Sequence, residues 1–529
     1  MRHRGESHSF SLSQAVRKPV GVTATGVVAA QHRRAAEIGA AILREGGDAV
    51  DAAIAVSYAI GVLEPWMSGP GGGGAMIIWR AGCEASYALN FGMRAPAALD
   101  PNDYALAPEG KASDLFPWKA VVDDRNVQGA TAIAVPGTVA GTREAHARFG
   151  RMPWTDLLQP AVAIAREGLK VDWYASLLIA SAAKDLSKDR DAAAVFLEEG
   201  QWPKSFGWTA ISDVLIDQSH MAATLSRLAE AGADDFYTGE LARMIVADVQ
   251  EKGGVLALND LAGYRAEWQA PLTFKYRAAR IYTTPFLTGG PSLRDALVEL
   301  EEAMTPGARP DPMTYVAYAN ALRSAYTRRL AGMGDGESPQ APACTTHFSV
   351  VDRQGNMVAM TQTLLSMFGS RIVSPSTGLL MNNGIMWFDP EPGHPNSLAP
   401  AKRCLMNICP TIVEAEGRRA AIGASGGRKI MPAVMQITSF LSDFGMSLEE
   451  AFHQPRIDAS GGDCVIADEA LDPEILSALS KRFPLVSTPR TVLPYAFACP
   501  AAVMEERGRR MGCTEIMSPW GDAIHEEPI

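Results

Sequence analysis

The sequence predicts an α+β chain, helix-rich up to about Leu330 and β-rich from Thr345 onward. Three observations predict it. Apolar residues recur at helical spacing through most of the first part, "AGMGDGESPQAPA" from Ala331 to Ala343 has no periodicity, and period-2 alternation starts directly after it. With 529 residues, 47% hydrophobic and 20% charged, the chain can bury a sizeable core.

The elements follow in order. The opening "MRHRGESHSFSLSQAVRKPVGVTATG" is basic but develops no apolar h-region, so no secretory signal is read and a cytoplasmic location is expected. Gln31 to Glu64 is alanine-rich at helical spacing, broken at Gly46-Gly47, with Asp48 available to cap a second helix. In "SGPGGGGAMIIWRAG", from Ser68, five glycines precede the strand-like run Ala75 to Trp79. The Gly-Lys-Ser/Thr ending of a phosphate loop is missing, which favours close backbone packing beside a pocket. The Pro136-Gly137 turn is expected to feed a helix capped by Thr138, and Pro160 to open or kink the next. Helical text continues to Leu330 with one strand-like interruption near "RAARIYTTP". "HFSVVD", the turn "RQGN" and "MVAMTQTL" then read as strand, turn, strand, and "RAAIGAS" and "CVIADE" as later strands.

Composition excludes some functions. A formal charge of −11 and a pI near 5.4 oppose a general grip on nucleic acid, and no segment has the ~20 uninterrupted apolar residues of a membrane span. The seven cysteines are scattered, without a CxxC pair, and read as reduced thiols. No metal constellation or cofactor motif is apparent.

The chemistry concentrates at the junction. A flexible segment running into a strand-opening threonine is the layout an N-terminal nucleophile requires, because the residue must be freed by a cut immediately before it. A threonine hydroxyl alone is a poor nucleophile. Once Thr345 is a chain terminus, its own α-amine, with a pKa of roughly 7.7–8.0, can act as general base for its oxygen. The cut itself can be chemical, the Thr345 hydroxyl attacking the Cys344 carbonyl to give an ester that water opens. Such acyl transfer develops an oxyanion, and "GASGGRKI" offers backbone donors at Gly426 and Gly427 where a strand meets a helix N-terminus.

From about Gly26 to Asp443 the chain resembles the γ-glutamyltranspeptidase (glutathione hydrolase) family of Ntn hydrolases. The stretches that carry this are "GGDAVDAAIA", "GPGGGGAMI", "VPGTVAG", "FYTGELARMIVADVQEKGGVLALNDLAGYRAEW", "TTHFSVVDRQGNMVAMTQTL", "GLLMNNGIMWFDP", "CPTIV" and "GASGGRKI". The resemblance implies an αββα sandwich and makes Thr345 the nucleophile. Thr363 becomes the second threonine that orients it, and Gly426 and Gly427 the oxyanion-hole glycines. It further implies a large subunit of residues 1–344, ending in the linker at 331–344, and a small subunit of 345–529. The two would remain one intertwined domain, a heterodimer that could pair into a dimer of heterodimers, acting on a small-molecule amide.

Departures from the family pattern bear on substrate. Where the family holds the glutamyl α-carboxylate with the arginine of "FRE", this chain reads "NFGMRAP", with Gly92 at that position and Arg94 two residues on. Leu365 stands for an asparagine, Gly384 and Trp387 for a glutamine and an aspartate, and Met406-Asn407 for a Ser-Ser pair. Losing such partners costs roughly 1–3 kcal/mol each, which predicts weak γ-glutamyl turnover. Trp387, Met406 and Leu365 suggest a more apolar acyl pocket, while Arg94, Asn407 and Arg428 could hold a small carboxylate. The "NNGIMWFDP" wording is also similar to the branch with cephalosporin-acylase-like proteins and oxamate amidohydrolase. Alternatives stay open: a genuine glutathione hydrolase using other contacts, a cut before Cys344 with that thiol as nucleophile, or a non-catalytic binding protein that would remain an uncut 56.5 kDa chain.

Overall fold

The computed structural model describes residues 16–113, 116–205, 213–332, 344–415, 417–460, 464–493 and 495–528. The alanine-rich stretch forms two helices, Arg33–Arg44 and Ala49–Leu63. Asp48 caps the second as expected. Its carboxylate accepts Val50 N–H (2.8 Å), while Asp51 accepts Asp48 N–H (3.0 Å), so two otherwise orphaned donors at the helix start are satisfied. Every residue of Ala49–Leu63 is buried, which fits a segment with almost no charge.

Two seven-stranded antiparallel sheets stack face to face. One, in pairing order, is Val22–Thr23, Arg509–Thr514, Cys499–Glu506, Arg418–Ser425, Thr411–Ala415, Ala279–Thr283 and Leu272–Tyr276. The other is Glu267–Gln269, Ala85–Phe91, Gly73–Arg80, Met357–Leu365, Cys344–Val351, Val27–Ala30 and Asp522–His525. Small and branched side chains such as Ala29, Ile77, Ala359, Ala421 and Val503 fill the space between them. Arg33–Arg44 and Ala49–Leu63 cover the second sheet through Val28, Phe348 and Val350. Helices Gly290–Ala303, Pro312–Gly332 and Ile430–Ser442 cover the first through Ile281, Ile422 and Met504. Each fully buried Val, Leu, Ile or Phe contributes about 1.5–3 kcal/mol. The result is the αββα sandwich that the resemblance implied.

Several local expectations change. The residues before 344 supply three strands of the first sheet and four of the second, so the helix-rich part is also half of both sheets. Helix Thr138–Phe149 takes Gly137, not Thr138, as its cap residue, and Thr138 already lies inside the first turn. Pro160 sits within helix Trp154–Glu167, which opens after Pro153, so it does not start that helix. Helix Pro312–Gly332 runs through Ala331 and Gly332, the first two residues of the expected linker. Residues 333–343 lie outside the described residues, and Cys344 already belongs to the next strand.

Candidate active site

Thr345 sits on strand Cys344–Val351, and the residues around it alternate between two environments. Thr346 pairs with Gln362, whose amide bonds Ser57 and Ser68 on the helical side of the sheet. His347, one step on, faces the other sheet. Its ring bonds Thr361 Oγ1 (2.8 Å) and Ser349 Oγ (2.9 Å) and lies so close to Gly423 that a Cβ there would be 2.3 Å from His347 Cε1. Burial pushes its pKa down to about 3, so it is neutral. Period-2 alternation therefore turns Thr345 and Thr363 toward the space between the sheets.

The pairing is irregular at this point. Thr346 opposes Gln362 but Cys344 opposes Leu365, so Thr363 and Leu364 together stand opposite the single Thr345. A bulge of this kind re-aims side chains. Leu365 takes a positive φ of 88°, and its N–H donates to Thr363 Oγ1 at 2.8 Å. Thr345 is 2% exposed, and its Oγ1 has no hydrogen-bond partner among the described residues. Thr345 Oγ1 and Thr363 Oγ1 are therefore not hydrogen-bonded to each other in the uncut chain.

The glycine run has a packing explanation. A Cβ on Gly72 would lie 2.2 Å from Thr363 O, one on Gly74 2.2 Å from Thr361 O, and one on Gly71 2.3 Å from Leu380 O. Only glycine lets the chain approach the Thr363 strand so closely.

Gly426 and Gly427 follow strand Arg418–Ser425 of the facing sheet and precede helix Ile430–Ser442. Their φ values of 126° and 65° lie in the region that glycine alone adopts freely. A Cβ on Gly426 would also come within 2.9 Å of Ala498 Cα. The turn thus follows the strand whose Gly423 packs against His347, two residues after Thr345.

The remaining expected residues divide into two groups. Leu365, Trp387 and Met406 belong to one buried apolar cluster with Met93 and Ile385. Gly92 packs on it, because a Cβ there would be 2.6 Å from Met406 Cε and 2.9 Å from its Sδ. The methionine occupies the room that a longer residue at 92 would need. Gly384 is equally confined, its Cβ position lying 2.7 Å from Ala134 Cβ. Trp387 is fully buried and its indole N–H has no partner among the described residues. Asn407 Oδ1 accepts Arg329 Nη2 (2.9 Å), and its Nδ2 is likewise without a partner there. Arg329, which sequence reasoning missed, also donates to Met406 O (2.8 Å) and Thr288 O (2.8 Å), and burial lowers its pKa.

Arg94 stands apart from this cluster. Its guanidinium donates to Asp260 O (3.2 Å) and makes no ion pair among the described residues. It lines an open cavity of about 450 Å³ with Asn90, Glu267, Phe286, Leu287 and Arg403. Met406 N–H donates to Leu287 O (2.8 Å), which joins that cavity's wall to the apolar cluster. Arg403 is neutralised by Glu267 at 2.7 Å. Glu64, a second residue missed from sequence, ends helix Ala49–Leu63; its Oε2 accepts Thr346 Oγ1 (3.2 Å), and burial pushes its pKa up to about 7. Cys83, Cys404, Cys409, Cys464, Cys499 and Cys513 are free thiols, and no helix among the described residues is long and apolar enough to cross a membrane.

Comparison with known proteins agrees with this fold. The family model described as Gamma-glutamyltranspeptidase matches residues 35–344 and 339–494. The chain is 34% identical over 507 residues to the Acylase ACY 1 proenzyme of Pseudomonas sp. (strain V22), covering 88% of each. It is 32% identical over 500 residues to the glutathione hydrolase proenzyme of Escherichia coli (strain K12), covering 85% of this chain and 83% of that one. Among solved structures, cephalosporin acylase from Bacillus halodurans superposes with a TM-score of 0.85 at 25% identity, over 98% of this chain and 99% of that one.

Proposed function

Because the chain belongs to the gamma-glutamyltranspeptidase family, we propose that it is an autoprocessed N-terminal-threonine amidohydrolase whose acyl-enzyme forms on Thr345 and whose preferred acyl group is not γ-glutamyl. The observation that carries this reading is the buried Thr345 hydroxyl, unpartnered among the described residues and set opposite a bulge. Leaving such a group unpaired costs about 1–3 kcal/mol, a cost that folds tolerate mainly where the group has work to do.

In processing, Thr345 Oγ1 attacks the Cys344 carbonyl, the C–N bond breaks, and the released nitrogen takes up the proton that the hydroxyl gives up, becoming the new α-amine; water then opens the ester. In turnover the α-amine takes the Thr345 hydroxyl proton as the oxygen attacks the substrate amide carbonyl. Backbone N–H groups of Gly426 and Gly427 receive the oxyanion. The amine proton passes to the leaving nitrogen, and water hydrolyses the acyl-enzyme with the same amine as base. Thr363 steadies the bulge through Leu365 and so the aim of Thr345.

The acyl pocket is walled by Leu365, Trp387 and Met406. Indole and carboxamide N–H donors of Trp387 and Asn407 suit an acyl group with an apolar stem and an acceptor atom. Arg94, which lines the neighbouring open cavity, suits a substrate carboxylate. The test is a panel of γ-glutamyl anilide, glutaryl amides, β-lactam side-chain amides and oxamate offered to the processed protein. A less polar or smaller acyl amide should exceed γ-glutamyl anilide at least tenfold in kcat/KM, about 1.4 kcal/mol of transition-state discrimination. A γ-glutamyl donor that proves best of the panel with micromolar KM refutes this view of the pocket. Thr345→Ala should remain uncut and inactive; normal cleavage of that variant removes Thr345 from the mechanism.

A further inference from the structure

The carboxyl of Glu64 lies beside the segment where processing would create a charge. It ends helix Ala49–Leu63, is 5% exposed, and its Oε2 accepts the hydroxyl of Thr346, the residue after the nucleophile. The titratable groups that face it from neighbouring elements are Tyr174, Tyr495 and Cys499, none of them a cation. The lysines beside those groups bond other partners: Lys429 donates to Tyr495 O (2.6 Å), and Lys18, which faces Cys499, to Ser518 O (2.8 Å) and Thr514 Oγ1 (3.0 Å). Glu64 makes no ion pair among the described residues. A buried carboxyl without a cation is costly unless it is neutralised or later paired.

We infer that Glu64 is the counter-charge for the terminal amine that processing creates on Thr345, and thereby a positioning residue for the nucleophile. This rests on the Thr345 reading above. Burial by itself disfavours an ammonium and pulls its pKa down, whereas a carboxylate nearby favours it. Thr345 is 2% exposed, so its amine alone would fall well below its solvent value and become a weak base. Glu64 opposes that fall and keeps the amine near roughly 7.5–8, where it can both take and return a proton around neutrality. In the uncut chain burial holds the Glu64 carboxyl up at about 7; the cut gives it a cation to ionise against.

The test needs no substrate. Processed protein is carbamylated with cyanate from pH 5 to 9, and modification of the Thr345 amine is read by mass on the N-terminal peptide of the small fragment. The wild-type amine should titrate near 7.5 or above, Glu64→Gln should lower it by about one unit or more, and Glu64→Asp, which keeps the charge, by less than half as much. Equal values in wild type and Glu64→Gln overturn the inference. So does a Glu64→Gln protein that folds but stays uncut, because Glu64 would then act in cleavage and not after it. Should the Gln variant fail to fold, the wild-type value decides: an amine titrating below about 6.5, where burial alone would leave it, overturns the counter-charge. A small fragment beginning anywhere but Thr345 defeats the nucleophile reading at the first step, before Glu64 is in question.

Discussion

Placing a methyl at Gly92 should destabilise the protein by an amount that Met406 controls. The added Cβ would sit 2.6 Å from Met406 Cε and 2.9 Å from Sδ, closer than nonbonded atoms allow, and Met406 is fully buried against Trp387 and Leu365. Overpacking of this kind costs about 1–3 kcal/mol. Met406→Ala alone opens a cavity and costs about 2–5 kcal/mol. In the double variant the new methyl enters vacated space, so the two costs should not add. The cycle should show a favourable coupling of about 1–2 kcal/mol, within the range for residues in contact. Apparent melting temperatures of the four processed proteins, scanned at one rate, measure it; a chain this long shifts on the order of 1 °C per kcal/mol. The same geometry has a functional arm. Gly92→Arg in the Met406→Ala background should raise γ-glutamyl anilide kcat/KM at least tenfold over Met406→Ala alone, about 1.4 kcal/mol, by giving the α-carboxylate a partner. Additive melting shifts, together with no gain in γ-glutamyl turnover, would refute the argument that Met406 occupies the place of the missing arginine.

Three further outcomes follow from the site. Thr363→Val leaves Leu365 N–H without its acceptor, so stability should drop by about 1–3 kcal/mol and acyl transfer should slow by roughly 10- to 1000-fold; unchanged turnover removes Thr363 from the site. His347 is held neutral, its pKa depressed from 6.5 to about 3, so its contribution is complete above pH 6.5 and is lost as pH falls toward 3, at no more than about 1.4 kcal/mol per unit. Between pH 7 and 4.5, wild type should therefore lose roughly 2–3 kcal/mol more than His347→Gln, and parallel pH curves for the two would contradict the burial argument. Arg94→Ala should raise KM about tenfold for amides that carry a carboxylate and leave uncharged amides unchanged; equal effects on both would show that Arg94 only braces the helical turn Leu258–Ala262 at Asp260.

Much of this was legible in the residues because local rules and tertiary needs coincide there. The Gly46-Gly47 break, the Asp48 cap and the 357–365 strand obey short-range chemistry. Val27–Ala30 did not announce itself as a strand, since all four residues are buried between a helix layer and the first sheet and no polar alternation survives. Thr138 looks like a cap by type, yet Gly137 takes that position because its own Cβ would lie 2.1 Å from Phe91 O. Trp387, Met406 and Leu365 could be named from their places in motifs, but their union in one cluster, and the pressure of Met406 on Gly92, join segments far apart in sequence. Glu64 was passed over entirely. A lone glutamate between a helix and Pro65 reads as a solvated cap, and only the fold shows it buried against Thr346.

The measurement that tests the central claim most directly is N-terminal sequencing, with intact mass, of the fragments formed when freshly purified full-length protein is incubated at neutral pH. The account requires one cut, with the smaller fragment beginning TTHFSVV at Thr345 and catalytic activity appearing as that fragment accumulates. A fragment beginning at Cys344, or full activity from a chain that stays intact, would contradict it.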